Sequence, residues 1–245
     1  MTATTLANLT NKNEITTKDN IEDKIIEIEV VAGEEWEHKL RIIRWLPFIR
    51  VTNQPQIAIW IEDINKHYLE TLYVTESAAK QNWRRVPSEV IRRKEINRPE
   101  ALPHWTHQRK RYEDEEYLAT KAYTIPDVVT SATPKESFRI SSKVKTQIEE
   151  VIIKVEVNHS THFNEYYSKD IKEGNKYYSG GEWGSGQPAV IYAGRINFND
   201  DLKEYSLRII GHSSPDGQSG RLYSDISKLT TAKDILEDII VKVEE

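Results

Sequence analysis

Two histidine pairs share one spacing, His104-Trp105-Thr106-His107 and His159-Ser160-Thr161-His162. A neutral imidazole is the commonest metal ligand, and two of them three residues apart lie on one face when the backbone between them is helical. Both pairs stand in text without helical periodicity, and two imidazoles still need a third ligand such as Glu156, Asp170 or Asp225. Ligand counting therefore assigns no metal site here, zinc or copper, and treats the pairing as accidental. Pro215-Asp216-Gly217, with Asp225 downstream, lacks the alternating oxygen ligands of a hand-type calcium loop and reads as a tight turn. No serine-histidine-carboxylate order, glycine-rich nucleotide loop or pair of catalytic carboxylates can be defended, so the chain is expected not to be an enzyme.

The segment PDVVTSATP, residues 126–134, admits two chemistries. In the first, Thr133-Pro134-Lys135-Glu136 is a capping box, with Thr133 accepting from the amide near Glu136 and Pro134 at the first helical position. Asp127 then satisfies turn amides after Pro126, and the whole is a corner between two strands. The same residues resemble the flavinylation motif of the flavin-mononucleotide-binding domains of sodium-pumping quinone reductases and Rnf-type complexes. That motif runs Asp, two variable residues, Ser or Thr, Gly, Ala, Thr. Asp127, Thr130, Ala132 and Thr133 match it, and Ser131 stands where the motif has Gly. The resemblance implies covalent FMN on Thr133, with Asp127 and Thr130 organising the phosphate and the protein acting in electron transfer. The corner is the reading carried forward, with no cofactor, and covalent FMN is the alternative.

Alternation of apolar and polar residues shows which elements hold these segments. KIIEIEVV sets Ile26, Ile28 and Val30 against Glu27 and Glu29, and WEHKLRI sets Trp36, His38, Leu40 and Ile42 against Glu37, Lys39 and Arg41. QIAIWIE and HYLETLYV flank the turn-rich residues 63–66 as a hairpin. QIEEVIIKVEV points Val151, Ile153, Val155 and Val157 inward and Lys154 and Glu156 outward. SFRIS, PAVIYAGRINF, YSLRIIG and DIIVKV complete the strands. A short helix is expected over 75–85, capped by Thr75 or Ser77 and stopped before Pro87. With no βαβ alternation, an all-β sandwich is the architecture that buries these faces. Residues 1–22 read as a disordered lead-in. Residues 23–245 form one domain with excursions at 84–125 and 158–187, and Glu156, Asn158, Asn164 and Tyr166 are expected to gather at one end and pin loops.

The 245 residues hold no cysteine, which excludes disulfides and thiolate metal sites. The net charge of -5 argues against a general nucleic-acid binder. Residues 84–111 nevertheless carry nine Lys and Arg against three Glu, which suits either a solvated loop or contact with an anionic partner. The first twenty residues contain no apolar core of signal-peptide length, and no apolar run is long enough to span a bilayer, so no direct membrane insertion is expected.

Taken in order, EEWEH, PQIAIWIED with TLYVT, LPHWTHQR, PDVVTSATP, VEVNHS with NEYY, QPAVIYAG, and GHSSPDG with DISKLTTAKDI resemble the bacterial family known as domain of unknown function 2271. The resemblance covers about residues 34–243. It implies an immunoglobulin- or fibronectin-like β-sandwich with short helices and long ordered loops, in a periplasmic or envelope-associated protein. The corresponding function is a non-catalytic module for binding or assembly with a protein or small-molecule partner.

Overall fold

The computed structural model describes residues 14–16, 24–41, 50–80, 83, 97–109, 129–131, 133–144 and 148–244. It is an all-β sandwich. One sheet orders β1 (Glu14–Thr16), β8 (Phe138–Val144), β2 (Lys24–Ala32), β13 (Leu236–Glu244) and β11 (Glu204–Ser206). The other orders β12 (Arg208–His212), β10 (Val190–Asn197), β9 (Glu150–Asn158), β5 (Gln56–Glu62), β6 (Tyr68–Thr75) and β7 (Val129–Ser131). A separate ribbon pairs β3 (His38–Arg41) with β4 (Arg50–Asn53). Two short helices, α1 (Glu76–Lys80) and α2 (Pro103–Gln108), complete it. No helix of the described residues is long and apolar enough to cross a membrane.

The alternation does what period two requires. Ile26, Ile28 and Val30 of β2 are fully buried and join one cluster with Ile57, Ile59 and Ile61 of β5 and the odd-numbered valines and Ile153 of β9. The hairpin of β5 and β6 forms as read, its turn held by the Asp63 carboxylate, which accepts from the amides of Asn65 and His67 at 2.8 Å each. The Pro-Asp-Gly turn also forms. Gly217 has φ +74, and a Cβ there would meet the Pro99 carbonyl carbon at 2.2 Å, so glycine is required twice over.

Four expectations change. Lys154 and Glu156 do not face water: they are 5% and 0% exposed, because a second apolar cluster covers the outer face of their sheet. That cluster contains Ala58, Trp60, Val74, Ala78, Ala79, Leu102 and Trp105. In the cross-strand register Lys154 stands opposite Trp60 and Glu156 opposite Ala58, so all four belong to the covered face. Within the stretch read as a lead-in, Glu14–Thr16 pairs in parallel with Arg139–Ser141 as an edge strand. His104 and His107 lie on a helix, α2, which Pro103 begins. Thr75 precedes α1, as a cap would, but its hydroxyl donates to Gln56 Oε1 at 2.7 Å and accepts from the Ile57 amide at 3.3 Å, so it ties β6 to β5. Of the expected helix over 75–85, residues 81, 82, 84 and 85 lie outside the described residues, as do most of the 84–125 excursion and its basic stretch.

Because Ile28 sits at 0% exposure in the inter-sheet core, Ile28→Ala is expected to cost about 2–5 kcal/mol, read as a lower urea midpoint at unchanged slope.

Candidate functional site

β9 feeds two groups of ionisable side chains, one beneath α2 and one at the end of the sandwich. Beneath α2, the Glu156 carboxylate accepts from the His104 amide at 3.1 Å and the Trp105 amide at 2.7 Å. These are first-turn amides of α2, and no side chain at the Leu102 cap position serves them. Glu156 therefore caps the helix from across the sheet. One residue pair further along, Lys154 Nζ lies 2.9 Å from Glu62 Oε2, and Trp60 Nε1 donates to Glu62 Oε1 at 2.9 Å. His104 joins the two halves. Its Nδ1 donates to the Gly220 carbonyl at 2.7 Å, which leaves Nε2 to accept from Lys154 Nζ at 3.2 Å.

Burial governs the titration here. It pushes the Glu156 carboxyl up to about 7, against the pull of the Trp105 and His104 amides. Burial first, then the adjacent Lys154 charge, holds His104 down to about 4. The polar contacts of this group tie α2 to the sheet and, through Gly220, to the loop after β12, so what the arrangement does is clamp.

At the end of the sandwich four residues converge. Glu35 lies in the turn after β2, His38 begins β3, and His159 and His162 occupy the turn that follows β9. That turn is tightly specified. Thr161 adopts φ +57, its amide donates to the Gly184 carbonyl at 2.7 Å, and the His162 amide donates to the Ser185 carbonyl at 2.8 Å. Gly186 runs beside His162 with φ +78, and a Cβ there would meet the His162 carbonyl at 2.6 Å.

The rings of His38, His159 and His162 stand 5.0–5.6 Å apart, centroid to centroid. His159 Nε2 donates to the Glu35 carbonyl at 2.9 Å, and His162 Nε2 lies 2.7 Å from the Thr231 hydroxyl and 3.8 Å from Glu35 Oε2. His162 Nδ1 is buried with no hydrogen-bond partner. Burial, reinforced by the neighbouring imidazoles, holds His159 down to about 3 and His162 down to about 4. Burial also lowers His38, so the three rings are neutral at pH 7. Among the described residues, Glu35, His38 and His162 are the group that can offer three ligand atoms to one ion, all within 4.8 Å of one another.

The two histidine pairs read from the sequence thus separate. His104 belongs to the clamp, while His107, on the same helix, has its Nε2 3.3 Å from the Gly217 carbonyl. The third ligands suggested for the pairs play other parts. Glu156 caps α2, Asp225 accepts from the Ser227 amide at 3.0 Å, and Asp170 is exposed. Glu35 and His38 were missed because nothing local links them to a turn more than 120 residues away. The only available signal was the placing of His38 on the same face as Trp36. Asn158 and Asn164 do pin loops, as expected. Asn158 Nδ2 donates to the Glu100 and Ala101 carbonyls and the Ser185 hydroxyl, and Asn164 Nδ2 donates to the Lys228 carbonyl.

Of the flavin-motif residues, Asp127 lies outside the described residues, and Thr130 sits on β7 opposite Val74. Thr133 is half-buried and its hydroxyl donates to the Pro55 carbonyl at 2.7 Å. The capping box is not formed, since residues 135 and 136 make a bend rather than a helical turn.

Two outcomes test the clamp. Lys154→Met leaves the Glu62 carboxylate buried and unpaired, at an expected cost of about 3–5 kcal/mol in urea unfolding at neutral pH. Adding Glu62→Gln should recover most of that loss, since Gln keeps an oxygen for Trp60. The pH profile is the second test. Glu156 binds its proton more tightly folded than unfolded, so its contribution is full below about 4.5 and is lost as pH rises through about 7. His104, His159 and His162 act oppositely: their stability is present above 6.5 and lost as pH falls toward 4. The melting temperature should therefore climb from pH 4 to about 7, because three histidines outweigh one carboxyl, and Glu156→Gln should steepen that climb above about pH 4.5.

Set against protein-family models, curated proteins and solved structures, the chain matches none of them.

Proposed function

We propose that this chain is a non-catalytic binding or assembly module of the bacterial cell envelope that meets its protein or small-molecule partner through the loops at one end of its sandwich. The supporting observation is how firmly Gln187 ties those loops. Its side-chain Oε1 accepts from the Thr230 amide at 2.7 Å, and its Nε2 donates to the Thr231 hydroxyl at 3.0 Å. Thr231 in turn meets His162, and the Gln187 amide donates to the His162 carbonyl at 2.9 Å. Loops held in advance lose little conformational freedom on binding, which is the property a recognition surface needs. The envelope setting rests on the resemblance to the domain of unknown function 2271 family.

The module reading is preferred to the covalent flavoprotein because of Thr133. A phosphoester would replace the hydroxyl hydrogen that now bonds the Pro55 carbonyl, breaking the contact that fixes this corner. Co-expression with a flavin transferase and intact-mass measurement decides between them. An unmodified chain is expected under conditions where a control acceptor is labelled. A mass increase of one flavin mononucleotide that Thr133→Ala abolishes would establish the electron carrier instead.

A further inference from the structure

We infer that Glu35, His38 and His162 form a binding site for one divalent transition-metal ion of zinc's character at the loop end of the sandwich. This goes beyond the module reading and stands without it.

The first support is convergence from unconnected parts of the chain. A carboxylate oxygen and one nitrogen from each of two imidazoles lie within 4.8 Å of one another, delivered by the turn after β2, the start of β3 and the turn after β9. Ligands of a tetrahedral ion with bonds of about 2.0–2.1 Å stand roughly 3.3 Å apart, so the set has to close by up to about 1.5 Å. Glu35 and His38, both only partly buried, have room for that rotation, whereas His162 is 4% exposed and held in place.

The second support is the state of the His162 ring. Thr231, itself anchored by Gln187, engages Nε2, while Nδ1 is buried with no partner. A buried ring nitrogen left bare costs free energy, and the Thr231 hydroxyl holds the ring beside Glu35, whose Oε2 lies 3.8 Å from Nε2. His159 packs against both rings and holds the Glu35 backbone through its carbonyl, positioning the carboxylate.

The donor set selects the ion. Two imidazoles and one carboxylate suit zinc and its late first-row neighbours, whereas calcium and magnesium call for oxygen alone. Three protein ligands leave a fourth position for water or another ligand.

The test is titration of the chelator-treated chain, carrying no histidine tag, with zinc chloride by calorimetry at neutral pH. One zinc per chain is expected for the wild type and for His67→Ala, whose exposed imidazole bonds Asp63 away from this end. Glu35→Gln and His38→Ala are expected to lose at least about tenfold in affinity while keeping the metal-free melting temperature near that of wild type. Cobalt(II) should give visible ligand-field bands in the wild type that His38→Ala loses. Should His38→Ala fail to fold, Glu35→Gln, which preserves shape, carries the comparison. No stoichiometric zinc in the wild type, or unchanged affinity in Glu35→Gln and His38→Ala, overturns the site. Either result leaves the module reading untouched, since that reading fails on Thr133 flavinylation.

Discussion

A carboxylate on the sheet holds the helix that covers it. Glu156 is fully buried, and a buried charge is tolerated only where donors replace its lost water. The first-turn amides of α2 supply those donors, and their own need for acceptors is met in the same step. Once α2 is seated, Leu102 and Trp105 close over Trp60 and the α1 alanines, and the outer face of the six-stranded sheet becomes a second core. Lys154 can then only be accommodated as part of a bonded chain running Trp60, Glu62, Lys154, His104 and Gly220. Breaking any one link leaves a charge or a dipole in a region without water.

β9 is the element on which these demands meet. Its odd residues fill the space between the sheets, and its even residues Lys154, Glu156 and Asn158 reach the covered face. Just past its end, the 159–162 turn delivers two imidazoles to the rim. Asn158 marks the change of role, bonding the chain that leads into α2 on one side and Ser185 beneath the rim on the other. The clamp and the loop end are thus mechanically continuous, although they differ in chemistry. One is sealed, while the other keeps two partly exposed ligands beside a buried one.

Periodicity made the strands legible. The inward face of β2, the hairpin of β5 and β6, and the inward residues of β9 all follow from alternation, because a pleated strand must send neighbours to opposite faces. Alternation does not say which face is wet. Alternation rightly sent Lys154 and Glu156 to the outer face of the sheet, but what buries them there lies about 50 residues earlier in sequence. The His159–His162 spacing was visible as well, but its meaning depended on Glu35 and His38, and the sequence offered closer acidic residues that the fold sends elsewhere. Thr133 shows the same limit. A local capping pattern lost to the Pro55 carbonyl, an acceptor 78 residues away.

Residue order alone settled that this chain folds as layered sheets with few helices, since period-two patterning is a local property written into each segment. It also settled which residues could act as ligands, acids or attachment points, and, through the absence of cysteine, which could not. Tertiary structure decided which of them meet. The covering of one sheet face by α2 turned two expected surface charges into a buried clamp, and loop closure across more than 120 residues set Glu35 and His38 against His162. Such encounters depend on how layers stack and where loops return, and no stretch of sequence read by itself contains that information.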